Sequence, residues 1–209
     1  MHHARSKFAQ WSGNPLMNDA NSEPDGLLAR GEGVAIRRVV AADLDRIVNF
    51  PFTVSITEPL TELPRLKKSL RTTGLWRAES GAVAIVALPS ARLLGTAQFY
   101  RSAPCIHGYE LGYIIHDRAD RGHGYASQAV RLFSDYLFAH LPGFYRQQLL
   151  IEVWNTPSWK LAERCGFVRE GVLRSSGFGA GDPADCFIYS RTRKDWHEQL
   201  HTGISMGGG

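Results

Sequence analysis

The chain has 209 residues, 44% of them hydrophobic, enough for one domain with a substantial core. No apolar run approaches the ~20 residues needed to cross a bilayer, and the polar N-terminal stretch has no apolar segment of the secretory kind, so the expectation is a cytoplasmic protein without a membrane partner. The net charge of +4 suits an anionic ligand, but Lys and Arg are scattered, which argues against nucleic acid as partner.

Residues 1–30 read as a flexible tail, 31–200 as one domain, and 201–209, ending in ISMGGG, as a second tail. VAIRRVV (34–40) alternates as a strand does, and AADLDRIVNF follows with Asp43 placed to cap a short helix. TELPRLKKSLRTTG (61–74) has helical spacing with Gly74 as its stop, its basic residues forming a solvated face. AVAIVAL (82–88) and LLGTAQFYR (93–101) are strands joined by a Pro-Ser turn. HGYELGYIIH (107–116) is a further strand, and a helix is expected from about 124 to 140, closed by Leu141-Pro142-Gly143. FYRQQLLIEVW (144–154) reads as a strand and PSWKLAERCGF (157–167) as a helix ending at Gly166. VREGVLR (168–174) and DCFIYSRTRKDW (185–196) supply the last strands, around the Gly-rich turn SSGFGAGDPA. The order β-α-α-β-β-β-α-β-α-β-β describes a mixed α/β (α+β) domain rather than alternating βα units.

Between the strand at 107–116 and the helix from 124 lies DRADRGHGYASQ. A helix N-terminus leaves backbone N–H groups without internal partners and carries partial positive charge, and both attract phosphate. Glycine lets the backbone come close, and Arg121 adds charge. A Walker loop would need Gly-Lys-Ser/Thr, which is missing. A Rossmann fingerprint would need a third glycine where Ser127 stands, directly after the strand. Cys105, Cys165 and Cys186 are far apart, with no CxxC pair, and read as reduced thiols. No His, Cys, Asp and Glu set has metal-ligand spacing, so no metal is expected.

The third reading rests on several blocks in order: E-L-G-Y-I-I-H, then R-G-H-G-Y-A, then I-E-V-W-N-T-P-S, then C-G-F-V-R-E-G-V-L-R. Together they resemble the GNAT N-acetyltransferases, in particular the branch that acetylates ribosomal-protein N-termini (RimJ/RimL-like) and its small-molecule relatives. The resemblance runs from about residue 33 to 198. It implies a mixed central sheet splayed between two parallel strands and flanked by helices, acetyl-CoA as cofactor, and direct transfer to a primary amine of a small molecule, an antibiotic or other metabolite, or of a peptide N-terminus. It implies a pyrophosphate held at Arg121, Gly122, His123, Gly124, Tyr125 and Ala126. The backbone of Ile114, Ile115 and His116 would hydrogen-bond the pantetheine as an added strand, with Asn155 as a further contact. A monomer or homodimer fits this pattern.

Acyl transfer to an amine needs a base for the ammonium proton and a group to meet the departing thiolate. Glu110 and Glu152 are the candidate bases, directly or through water. The family's tyrosine acid, four residues before the glycine of the Gly-Phe pair, is replaced here by Ala162. Ser158 is the remaining candidate at the thiolate, with helix capping as its alternative role. Trp154 and Trp159 bracket Asn155 as cleft walls or core. The acceptor cleft is expected from residues 49–62 and 175–185, and F-P-F-T-V-S-I-T within it is apolar and hydroxyl-rich and lacks the acidic clusters expected for polyamine binding. A non-catalytic acyl-CoA-binding module on the same fold is the contrasting class.

Overall fold

The computed structural model describes residues 26–48, 62–102, 106–143, 145–179 and 182–205. Among them, eight strands form one sheet in the order β1-β2-β3-β4-β5-β6-β8-β7. The first five are β1 (Leu27–Arg30), β2 (Val34–Arg38), β3 (Ser80–Ala87), β4 (Leu93–Arg101) and β5 (Tyr109–Ile115), and each pairs antiparallel with the next. Beyond them, β6 (Arg146–Glu152) runs parallel to β5 and pairs antiparallel with β8 (Asp182–Thr192), whose other edge carries β7 (Val168–Gly179). The parallel pair needs a crossover, and α3 (Tyr125–His140) supplies it.

The helices cover both faces of the sheet. On one face α3 and α4 (Thr156–Arg164) pack Ala129, Val130, Phe133, Leu137, Leu161 and Ala162 against Ile36, Ile85, Phe99, Leu111 and Ile151. On the other, α1 (Leu44–Ile47) and α2 (Leu63–Thr73) bury Leu44, Ile47 and Leu66 against Val39, Leu75, Ala82 and Ala84. All eight residues of β3 are buried, which is why SGAVAIVA is apolar on both faces instead of alternating. Asp43 reaches back to accept from Val40 N–H at 2.9 Å and takes a bidentate ion pair from Arg37 at 2.7 and 2.9 Å. Gly74 ends α2 in the left-handed conformation.

The sheet begins earlier and the chain continues further than the sequence suggests. Leu27–Arg30, inside the stretch read as tail, pairs with β2 and buries Leu27 beside Ala35 and Val86. At the other end, Arg193–Ser205 is a helix, α5, where the sequence reading carried a strand to 196 and a tail from 201. Helix α5 starts on the residue after β8, with no loop between. Asp195 accepts from Thr192 N–H at 2.8 Å, and Thr192 Oγ1 accepts from Asp195 N–H at 3.2 Å, a reciprocal cap that turns strand into helix. Arg191, 3% exposed, then locks β8 to α3 and α5 through Ser134, Asp135 and Gln199. The expected turn at 175–184 is mostly strand, bulged between Leu173 and Gly177.

Candidate active site

The site is built by a pairing that stops. Strands β5 and β6 are in register only at Tyr109↔Gln147 and Glu110↔Gln148, whereas β6 pairs β8 along its whole length. Past Glu110 the two strands separate, and a gap opens toward their C-terminal ends. His116 N–H donates to Leu94 O at 2.9 Å, and Ile114, Gly112 and Glu110 share its phase in the β4–β5 register. Their backbone groups therefore face β4, while those of Tyr113 and Ile115 turn toward the gap. Of the expected trio Ile114, Ile115 and His116, Ile115 is thus the one whose backbone faces the opening.

At the mouth of the gap, β5 leads through a short turn, Arg118–Asp120, into α3. Gly122 and Gly124 hold φ of +83° and +80°, and a Cβ at either would meet nothing within 4 Å. Their identity answers to backbone conformation, not to space. Gly124 is the N-cap of α3 and no side chain caps the helix; the first helical bond runs from Gln128 N–H to Gly124 O. The N–H groups of Tyr125, Ala126 and Ser127 are therefore available to an anion. Arg121 is anchored, its Nε donating to Ile115 O at 3.1 Å and Nη2 to His116 O at 3.4 Å. His123 is exposed and stacks on Tyr125, with 5.9 Å between ring centroids. Asp120, an acid in an anion-binding loop, is neutralised by a bidentate pair with Arg92 at 2.7 Å.

Glu110 sits at the vertex of the gap. Burial holds its carboxyl above the usual range, opposed by hydrogen bonds from Tyr100 and Gln148. Its side chain shares the α1–α2 face of β5 with those of Ile114 and His116, opposite to core residues Leu111 and Ile115. Glu152 lies on the same face of the sheet, four residues or about 13 Å along β6 from Gln148. There it sits beside Cys186, its partner in β8, and under Gly177, where an added Cβ would come within 3.3 Å of Glu152 Cγ and 2.7 Å of Cys186 Sγ. The two carboxylates therefore mark opposite ends of the gap.

On the other face, α4 begins at the mouth. Asn155 caps it, Oδ1 accepting from Ser158 N–H at 3.4 Å, which leaves the amide NH2 as the end that can donate to a ligand. Ser158 Oγ lies 2.6 Å from the hydroxyl of Tyr113, whose side chain crosses beneath the gap from β5. Burial pushes the Tyr113 hydroxyl up to about 12, so it stays protonated at neutral pH. Ala162 is fully buried against the core, and the site's tyrosine comes from β5. His116 is buried and its pKa falls to about 4, first from burial and then from Arg46. Trp154 is exposed, and Trp159 packs edge-on to Phe187.

Tyr100, Tyr113 and Gln148 were not among the residues singled out in the sequence. Their residue types are ordinary in strands; strand register brings Tyr100 and Gln148 to Glu110, and the packing of β5 against α4 brings Tyr113 to Ser158. Residues 49–61 and 180–181 of the expected acceptor cleft, and Cys105, lie outside the described residues. Cys165 and Cys186 are buried and unpaired. Among the described residues no group of His, Cys, Asp and Glu could hold a metal, and no helix is long and apolar enough to cross a membrane.

The arrangement can take a peptide-like arm along the exposed edge of β5 and an anion at the start of α3. Solved structures share the fold that carries it. The model of the acetyltransferase (GNAT) domain matches residues 34–168. An uncharacterized N-acetyltransferase, p20, of Bacillus licheniformis is 25% identical over 176 residues, covering 79% of this chain and 96% of its own. A second, YoaA of Bacillus subtilis, is 34% identical over 98 residues, covering 47% and 54%. Among solved structures, the spermidine/spermine N-acetyltransferase SpeG of Vibrio cholerae superposes with a TM-score of 0.66 at 21% identity, covering 80% of this chain and 96% of its own. A GNAT-family acetyltransferase of Bacillus anthracis gives 0.62 at 19%, covering 79% and 98%. The matched region contains the gap, the glycine turn and the start of α4, and the chain belongs to the GNAT family of N-acetyltransferases.

Proposed function

We propose that the chain transfers an acetyl group from acetyl-CoA to a primary amine, of a small molecule or of a peptide or protein N-terminus, by direct transfer in a ternary complex. The observation that carries this reading is the β5–β6 pair, held at two register positions and then open beside the uncapped N-terminus of α3. The bound thioester supplies the activated acetyl group. Tyr125 and Ala126 N–H hold the pyrophosphate, with Gly122 and Gly124 setting the turn and Arg121 and His123 beside it. The backbone of Tyr113 and Ile115 and the Asn155 amide align the pantetheine. Glu110 accepts the ammonium proton on the α1–α2 face, so that a neutral amine attacks through the gap. Ser158, backed by the Tyr113 hydroxyl, stabilises the thiolate from the opposite face.

Glu110 is favoured over Glu152 as base because it stands at the vertex, where an arm entering from α3 reaches the end of the gap. The E-L-G-Y-I-I-H and N-T-P-S blocks favour the branch that acts on ribosomal-protein N-termini and amine metabolites. The unpaired Cys165 and Cys186 suit the reducing cytoplasm. The test is acetyl-CoA turnover, read as thiol release and the gain of one acetyl group, over a panel of N-terminal peptides, aminoglycosides and spermidine. Acetylation of one amine class supports the proposal. Tight acetyl-CoA binding with no amine turned over would instead make the chain an acyl-CoA-binding module.

A further inference from the structure

We propose that Tyr100 and Gln148 are positioning residues that aim the Glu110 carboxylate into the gap, and that Arg146 decides which end of the Gln148 amide faces it. The inference rests on Glu110 acting as the base. Tyr100 stands directly opposite Glu110 in the β4–β5 register, and its hydroxyl donates to Glu110 Oε1. Gln148 stands opposite Glu110 in the β5–β6 register, at the last pair before the strands part, which brings its amide beside the same carboxylate, where it favours the ionised form. The two donors therefore approach Glu110 from the two neighbouring strands.

A glutamine amide can present either its oxygen or its NH2, and here the choice is forced. Arg146 Nε lies 3.4 Å from Gln148 Oε1, and a guanidinium offers only donors. The amide oxygen must face Arg146, which turns the NH2 to Glu110. Arg146 is itself held by two bonds to Glu170 on β7, at 2.8 and 2.5 Å, and Glu170 also accepts from Ser190 Oγ at 2.7 Å. That ion pair keeps Glu170 ionised, its pKa down to about 2. Gln148 is 4% exposed, so no bulk water competes for its amide. The chain Glu170–Arg146–Gln148–Glu110 links the far edge of the sheet to the vertex of the gap.

Both contacts to Glu110 are donors, and an ionised carboxylate has about four acceptor positions. Fixing some of them orients the rest toward an incoming ammonium. The same donors favour the ionised form against the burial that opposes it. Charged groups on either side come as pairs, Arg146 with Glu170 and Arg101 with Glu79 at the end of β4. His116, on the same face of β5, is six residues or about 20 Å further along.

The test is the pH dependence of kcat/KM for Y100F, Q148M, their double variant and R146M, beside E110Q, with acetyl-CoA and one accepted amine. Removing a donor raises the Glu110 pKa, so the acid limb should move up by about one pH unit for each single variant and further for the double. Well above the limb the loss is small; one unit below it, about tenfold. R146M frees the amide to turn its oxygen to Glu110 and should move the limb the same way without touching the carboxylate. If a buried substitution lowers the melting temperature too far to assay, R146M on the partly exposed Arg146 carries the test. E110Q inactive with unmoved limbs in all variants overturns the positioning role and leaves the base standing. E110Q fully active removes the base, and this inference with it.

Discussion

Gly124→Val probes the anion end of the site at a position where nothing obstructs a side chain. A Cβ at Gly124 would meet nothing within 4 Å, so the whole penalty comes from its φ of +80°. Holding a non-glycine residue there costs about 1–3 kcal/mol, at the upper end for a β-branched one. In a chain this size that lowers the melting temperature by roughly 3–10 °C, so the fold survives. The ligand suffers more, because the residue escapes by rotating the peptide planes that aim Tyr125 and Ala126 N–H. Two hydrogen bonds to a charged phosphate, at about 1.5–3 kcal/mol each, amount to a 10²–10⁴-fold loss of acetyl-CoA affinity. Calorimetric titration of acetyl-CoA measures it, with acetyl-pantetheine, which lacks the pyrophosphate, as control. The control should bind both proteins alike. An acetyl-CoA affinity within twofold of the parent, or equal losses for both ligands, would refute the phosphate turn.

Glu110→Gln should lower kcat by about 10²–10⁴-fold with acetyl-CoA affinity unchanged, whereas Glu152→Gln should cost less than tenfold, both read from steady-state kinetics. His116 has a native pKa of about 4 against an unfolded value near 6.5, so the unfolded chain binds the extra proton. Stability should be full above pH 6.5 and fall by roughly 3 kcal/mol on descending to pH 4, as measured by urea unfolding, and His116→Gln should flatten that slope. Arg191→Ala strips the buried tie between β8, α3 and α5 and should cost about 2–4 kcal/mol, a drop of roughly 5–15 °C by calorimetry.

What could be read in the sequence was what local pattern encodes. The strand in VAIRRVV, the strand in AVAIVAL, and the glycine turn before an amphipathic helix each appear where expected. The first strand escaped because LLAR is too short to alternate and gains its pairing from β2. Helix α5 escaped because strand and helix abut, yet Thr192-Arg193-Lys194-Asp195 carries the capping-box spacing that marks a start. In the site, the glycine turn was legible because its backbone demand is local. Tyr100 and Gln148 were not, because each meets Glu110 only through the pairing of β5 with its neighbours, and Tyr113 was not, because it meets Ser158 only where β5 packs against α4. Ala162, in the place of the family's tyrosine, signalled that a hydroxyl was missing from α4, and the Tyr113 hydroxyl of β5 lies against Ser158 at the start of that helix.

The most direct measurement of the central claim is single-turnover transfer from acetyl-CoA to an amine of the panel, comparing the parent chain with Glu110→Gln at matched acetyl-CoA saturation. The account predicts one thiol released per acetyl group gained by the amine, no acetylated protein intermediate, and loss of transfer with retained binding in the variant. An acetyl group found on the protein before the amine is added, or undiminished transfer by Glu110→Gln, would contradict it.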